Sequence, residues 1–303
     1  MRYADTVCIV LNYNDADTTA ALVSRLHPYQ SIDKIIIVDN ASTDDSAEKL
    51  SKLVGEKTVL IRGGRNGGYG YGNNLGIHYA SKAFRAKYAL IANPDTEFSE
   101  EAVLAMRAAF SRSKTIAAAA PLMRNENDAQ SIPSSRRNRI GGPAAWPLRP
   151  WLYDLLESEP VMRRMFSSLL HYGEAFYQKS DLLSVGALAG ALVMLDVEKV
   201  ISCGAYDERV FLYGEENILG RRLRAKHYRS VLLRDHSYRH IHSKSITRSF
   251  ISALKRQRLR ERSALIYYRK YLKINALQYL ISKLVFKIVE LEILVWGLFS
   301  GYR

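Results

Sequence analysis

Short apolar runs rich in β-branched residues recur through the first third of the chain, at 6–11, 34–38, 58–61 and Tyr88–Ala92. Each has strand length. The stretches between them, Ala16–Leu26, 45–53 and 74–86, carry helical spacing. Ser42-Thr43-Asp44-Asp45 supplies turn chemistry before the second of these, and Asp45 with Glu48 has the spacing of a capping box. Alternation of this kind predicts an α/β fold, a mostly parallel central sheet with helices on both faces. Ligands in such sheets bind beyond the carboxyl ends of strands, which directs attention to Asn12-Tyr13-Asn14, Asp39-Asn40 and Asn93-Pro94-Asp95. From 125 to 181 the regularity breaks. Residues 131–151, rich in Ser, Arg, Gly and Pro with Arg136, Arg137 and Arg139 clustered, predict a long loop. Order returns at 182–195, followed by a turn over 204–213 and a helix over 215–226.

Charge changes the picture at the far end. The 303 residues carry a formal net charge of +14, and 248–303 hold 12 Lys and Arg against 3 acids. Lys255, Arg256, Arg258, Arg260 and Arg262 are followed by Tyr267, Tyr268, Tyr271, Tyr279 and Phe286. This pattern fits a solvated basic helix leading into a core-packing one, or an amphipathic segment on an anionic membrane, where each basic residue near the surface is worth about 1 kcal/mol. Helical spacing puts Lys283, Lys287 and Glu290 on one face and Leu284, Phe286, Ile288, Leu291 and Val295 largely elsewhere, which favours the membrane surface. No nucleic-acid module accompanies the charge, so nucleic acid is not the expected partner. There is no uncharged run of about 20 residues to cross a bilayer and no secretory pattern at the N-terminus. Cys8 and Cys203 are the sole cysteines, which argues against a disulfide scaffold and a cysteine zinc site. The expectation is a cytoplasmic protein, peripheral on the inner face of the membrane.

Candidate chemistry gathers in five places. Asn93-Pro94-Asp95-Thr96 leaves a strand with a carboxylate that suits a divalent cation, or is a simple Asx-Pro turn. Asp39 either accepts from a nucleobase or ribose or satisfies backbone donors at its turn. The run from Gly63 to Asn74 holds six glycines that allow close backbone approach to a ligand. It lacks the Gly-Lys-Ser/Thr ending of a P-loop. Glu215-Glu216 opens a helix, where the dipole favours acids and holds them ionised, and where a general base would also be rigidly placed. His240 and His242 would face the same way on a strand, compatible with metal binding or with a structural role.

Taken in order, the segments "VCIVLNYN", "IIIVDNASTDDS", "RNGGYGYGNNLGI", "ALIANPDTEF", "GALAGALVML" and "YDERVFLYGEEN…RRLRAKHY" resemble the inverting nucleotide-sugar glycosyltransferases of family 2, in particular the rhamnosyltransferase-type branch. The resemblance spans about 6–246. It implies a GT-A fold, Rossmann-like, with added C-terminal helices. It divides the chain into a nucleotide-sugar-binding half (1–124), an acceptor-binding and catalytic half (125–247) and basic amphipathic C-terminal helices (248–303). It implies that Asn12, Asp39, Asn66, Asn73, Asn93 and Asp95 line the donor site, and that Asp95 with His240 or His242 holds Mg²⁺ or Mn²⁺. Asn93 stands where the family's motif has its first Asp. The family's Glu-Asp pair falls on Glu215-Glu216, with Glu216 at the position of the catalytic base. The implied reaction moves a sugar, favoured as L-rhamnose from dTDP-L-rhamnose with UDP-sugars as the other donors, to a glycan or lipid-linked saccharide in cell-surface polysaccharide assembly. The alternative is a degenerate nucleotide-sugar-binding protein without transfer activity.

Overall fold

The computed structural model describes residues 4–124, 144–241 and 253–299. Among them, one nine-stranded sheet organises the chain. The strands β1 (Thr6–Asn12), β2 (Lys34–Asp39), β3 (Thr58–Arg62) and β4 (Tyr88–Ala92) pair in parallel in the order β3-β2-β1-β4. β1, β2 and β4 are buried along nearly their whole length, which is why they read as continuous apolar runs rather than alternating ones. Beyond β4 the pairing is mixed. The remaining strands are β5 (Thr96–Glu97), β6 (Ile116–Arg124), β7 (Ala145–Trp146), β8 (Leu182–Val185), β9 (Ala187–Leu188), β10 (Leu192–Asp196) and β11 (Arg229–His240). β10 runs antiparallel between β4 and β6; β11 is parallel to β6 and antiparallel to β5 and β8. The register of β11 on β6 slips between Leu233 and Ser237. That irregularity lets the strand carry Tyr238 and His240 onward to the turn after β4, as bulges beside sites commonly do.

The helices α1 (Ala16–Leu26), α2 (Ser46–Ser51), α3 (Gly68–Phe84) and α4 (Glu100–Ser111) lie around the first half of the sheet. The expected capping box at α2 does not form: Asp45 makes no side-chain cap bond, and the neighbouring Asp44 accepts from the Ser46 N–H instead. α3 begins six residues before its predicted start, because the glycine run is helical. A Cβ on Gly72 would lie 2.2 Å from Leu11 Cδ1, and one on Gly76 2.5 Å from Ile9 Cγ2. What these two glycines make room for is therefore the Leu11 and Ile9 side chains of β1, not a ligand. The 131–151 loop falls largely outside the described residues, with Arg136, Arg137 and Arg139. Past it come four short helices, α5 (Trp151–Ser158), α6 (Pro160–Met165), α7 (Ser167–Leu170) and α8 (Glu174–Tyr177), then α9 (Val197–Ser202) and α10 (Glu215–Ala225).

The basic tail is part of the fold. α11 (Ala253–Tyr267) passes through a π-helical turn, Tyr268–Leu272, and α12 (Ala276–Phe299) follows. Tyr267, Tyr268 and Phe286 close a second core with Leu155, Val210 and Ile218. Ser263 Oγ donates to the Leu212 carbonyl at 2.7 Å, Arg221 Nε to Tyr267 Oη at 2.6 Å and Trp151 Nε1 to Ser282 Oγ at 2.8 Å. The expected division of faces on α12 needs correcting. Phe286 and Glu290 both point inward, while Leu284, Ile288, Leu291 and Val295 are exposed. A two-sided apolar helix defeats a count that assumes one apolar face.

Candidate functional site

The ends of β1 and β2 lie side by side, with Asn12 in register with Asp39. Asn12 Nδ2 donates to Asp39 Oδ1 at 3.2 Å and to Ser42 Oγ at 3.0 Å, while its Oδ1 accepts from Thr19 Oγ1 at 3.0 Å. Ser42 Oγ donates to the same Asp39 oxygen at 2.5 Å. Asn12 is wholly buried with its side chain committed to protein partners, so it acts on a ligand only by holding Asp39. Asn66 joins through Asn40, the residue after Asp39: Asn40 Nδ2 donates to Asn66 Oδ1 at 3.1 Å. Asn73 stays apart from this cluster. It is buried in α3 and donates to the Tyr69 carbonyl at 3.1 Å. Asn40 Oδ1 and Asn73 Oδ1 are both buried without a protein partner.

At the exit of β4 the Asn93 carbonyl accepts from Thr96 N at 3.1 Å and Thr96 Oγ1 at 2.7 Å. The segment is thus an Asx-Pro turn, and one that aims a carboxylate. Asp95 Oδ1 lies 3.1 Å from His240 Nε2, with the side chains only 11% and 19% exposed. The contact joins residues far apart in the chain, and the Ile241 N–H donating to the Asp95 carbonyl at 2.9 Å fixes it. Asp95 Oδ2 is buried with no protein partner. A carboxylate oxygen left open beside an imidazole nitrogen is a donor set suited to Mn²⁺, and the residues fit a divalent cation to that extent. No cluster of three or more His, Cys, Asp or Glu side chains occurs among the described residues, and His242 lies outside them.

Glu215 and Glu216 open α10. Burial pushes both carboxyls above the usual range, and for Glu215 repulsion from Glu216 adds to it. Desolvation therefore outweighs the helix dipole that was expected to keep Glu216 ionised. Glu215 Oε2 is buried without a partner. Glu216 borders Gly190: a Cβ there would stand 3.3 Å from Glu216 Oε1 and 2.6 Å from Tyr69 Oη. Tyr69 Oη donates to the Gly190 carbonyl at 2.6 Å, and its ring meets that of Tyr206 edge-on at 5.5 Å. The next carbonyl, of Ala191, accepts from Asn93 N at 2.8 Å, so the strand-exit turn and the Glu216 wall are adjacent. Tyr238 marks where they meet. Burial and the charges of Asp95 and Glu216 raise its pKa, and its hydroxyl has no protein partner. Sequence reasoning passed over Tyr69, Tyr206 and Tyr238: the first two fall in stretches read as a glycine-rich run and a turn, and a strand aromatic such as Tyr238 reads as core. The unusual signal was Tyr69 set between glycines. Asp207, next to Tyr206, is fixed by Arg209 and by Tyr271 Oη at 2.6 Å, which ties the π-helical turn to this wall.

Residues 7–172 match the family described as "Glycosyl transferase family 2". An N-acetylglucosaminyl-diphospho-decaprenol L-rhamnosyltransferase of Mycobacterium tuberculosis is 27% identical over 207 residues, which are 62% of this chain and 60% of the relative. A low-salt glycan biosynthesis hexosyltransferase of Haloferax volcanii is 30% identical over 97 residues, 32% of this chain and 30% of the relative. The chain thus spans less than two thirds of either. Among solved structures, a mannosyltransferase from Pyrobaculum calidifontis in complex with GDP-Man and Mn²⁺ superposes with a TM-score of 0.58 at 13% identity, covering 99% of this chain and 77% of that one. That likeness is one of fold.

Proposed function

Because the chain belongs to glycosyl transferase family 2, we propose that it is an inverting hexosyltransferase that moves a sugar from a nucleotide-sugar to a saccharide or lipid-linked saccharide. The favoured donor is dTDP-L-rhamnose, in keeping with the mycobacterial relative's printed activity. Residues 1–124 form the donor half, 125–247 the acceptor and catalytic half, and 248–303 the element that meets an anionic membrane surface. The observation that carries the reading is the Asp95–His240 contact with Asp95 Oδ2 left open, on a turn bonded to the Gly190–Ala191 segment that borders Glu216.

In this reading Asp39, held by Asn12 and Ser42, receives the nucleoside. Glu216 takes the proton from the acceptor hydroxyl, whose oxygen bonds to the anomeric carbon as the bond to the diphosphate oxygen breaks. The raised affinity of Glu216 for a proton suits a base working near neutral pH. Asp95 and His240 would hold Mn²⁺ or Mg²⁺, which when bound offsets charge on the departing diphosphate. One displacement inverts the anomeric centre and needs no covalent enzyme intermediate. Calorimetry of dTDP and UDP with and without Mn²⁺, followed by nucleotide release from dTDP-L-rhamnose and UDP-sugars, tests it. Metal-dependent binding and release from one donor class are expected. Binding without turnover of any donor would leave a nucleotide-sugar binder instead.

A further inference from the structure

α12 has two apolar faces, and the fold uses one. Phe286 and Val289 are buried on the inner side. Opposite them, Leu277, Leu280, Leu284, Ile288, Leu291 and Val295 stand 41–65% exposed. At 3.6 residues per turn these six fall within an arc of about 80°, in a row roughly 27 Å long. Scattered exposed aliphatics are ordinary on a protein surface; a contiguous row marks an interaction site. A second exposed group adjoins it. Glu159, which caps α6, lies against Glu292 of α12, and beyond it Val161, Met162 and Met165 of α6 and Leu169 of α7 are exposed.

The charge around these residues selects the occupant. Arg163 and Arg164 are exposed among the α6 aliphatics, Lys283 and Lys287 edge the α12 row, and Arg269 and Lys270 are exposed just before the helix. The acids of α12 are off the row: Glu290 turns inward to Arg258 and Lys287, and Glu292 lies against Glu159. A second copy of this face would bring like charges together, which disfavours self-association. No helix among the described residues is long and apolar enough to cross a membrane. The geometry points to an anionic bilayer surface as the partner, with α12 lying in the interface, its aliphatic row in the acyl boundary and the arginines and lysines at phosphate level. The surface is thus a platform of α12 with α6 and α7, and aliphatic insertion complements its charge. It rests on the glycosyl-transfer reading only in that a lipid-linked acceptor gives it a purpose. α10, which carries Glu216, is joined to the C-terminal helices through Arg221 and Arg222, bonded to Tyr267 and Tyr271.

The test is flotation of the full chain with phosphatidylcholine vesicles, with and without phosphatidylglycerol. The wild type should float with the anionic vesicles. Leu280→Gln/Leu284→Gln/Leu291→Gln should weaken that binding at least about tenfold and Met165→Gln/Leu169→Gln by about threefold, through lost apolar insertion. Leu104→Gln, an exposed aliphatic on α4, should bind like wild type, and all variants should keep the wild-type melting temperature. Undiminished binding by the triple variant overturns the proposal. So does a wild type that ignores vesicles and elutes as a dimer which the triple variant dissolves, since the row then serves a second copy. Nucleotide release to a soluble acceptor should be unchanged in the triple variant. Vesicle binding by a wild type that turns over no nucleotide-sugar sinks the transfer reading and leaves the docking surface standing.

Discussion

The two halves of the molecule handle buried polarity in opposite ways. In the parallel half, the strand-end side chains answer one another: Asn12, Thr19, Asp39 and Ser42 form one bonded set. In the other half, acids stand close together, Glu215 buried and Glu216, Asp154 and Glu157 half-buried, with pKa values pushed up by desolvation. Arginines and tyrosines brace that half from α10 to the C-terminal helices. A satisfied network holds its side chains in place. Stacked carboxyls hold a readiness to exchange protons, and they need an outside frame to stay in place. In the proposed reading, the proton transfer falls to the second half and donor positioning to the first.

The largest test of that division is Glu216→Gln, which keeps size but cannot take a proton. Turnover should fall by roughly 10²–10⁴ with donor affinity unchanged. Glu215→Gln run beside it should leave most turnover; the reverse pattern, read by steady-state kinetics, would shift the base by one residue. Next in size, Asp95→Ala should lower transfer by about 10²–10³ and remove the metal dependence of nucleotide binding, as calorimetry would show. If affinity survives, the turn after β4 is structural only. On the satisfied side, Asn12→Ala leaves Thr19, Ser42 and Asp39 short of a partner in a buried place. Denaturant unfolding should record a loss of about 1–3 kcal/mol.

The smallest effect concerns pH itself. Glu261 is buried between α11 and α12, accepts from Gln257 Nε2 at 3.1 Å and has its pKa raised to about 7 by burial and by Glu290, which Lys287 and Arg258 keep charged. A folded pKa above the unfolded value gives stability that is complete below the ordinary glutamate range and is lost as pH rises through about 7. The melting temperature should therefore fall modestly from pH 6 to pH 8, and Glu261→Gln should flatten that fall. An unchanged slope in the variant would place the titration elsewhere.

How much of this could be read from the chain alone follows the same divide. The strands of the parallel half are legible because burial on both faces requires unbroken β-branched runs, and Asp39 and Asp95 stand at their exits as such sheets demand. The start of α3 was not legible, since glycine signals a loop until the strand it rests on is known. Asp95 and His240 meet through a sheet order that no local pattern encodes. Tyr238 looks like any strand aromatic until the charges on either side are placed. In the tail, the tyrosines that pin it are visible beside the basic residues but not what they pack against, and helical counting hid a second apolar face.

Gly72 and Gly76 have a consequence for how this fold can change. Replacing glycine by alanine in a helix interior ordinarily gains about 0.5–1 kcal/mol. Here the gaps of 2.2 and 2.5 Å oppose that gain, because a methyl group enters only if the Leu11 and Ile9 side chains give way or the helix lifts off β1. Tyr69, one turn before Gly72, would be carried with it, away from the Gly190 carbonyl it holds. The distance from Tyr69 to the Gly190 segment is thus gauged by atoms that are missing on another side of the helix. Drift at these two positions would reach the chemistry without altering a single group that performs it.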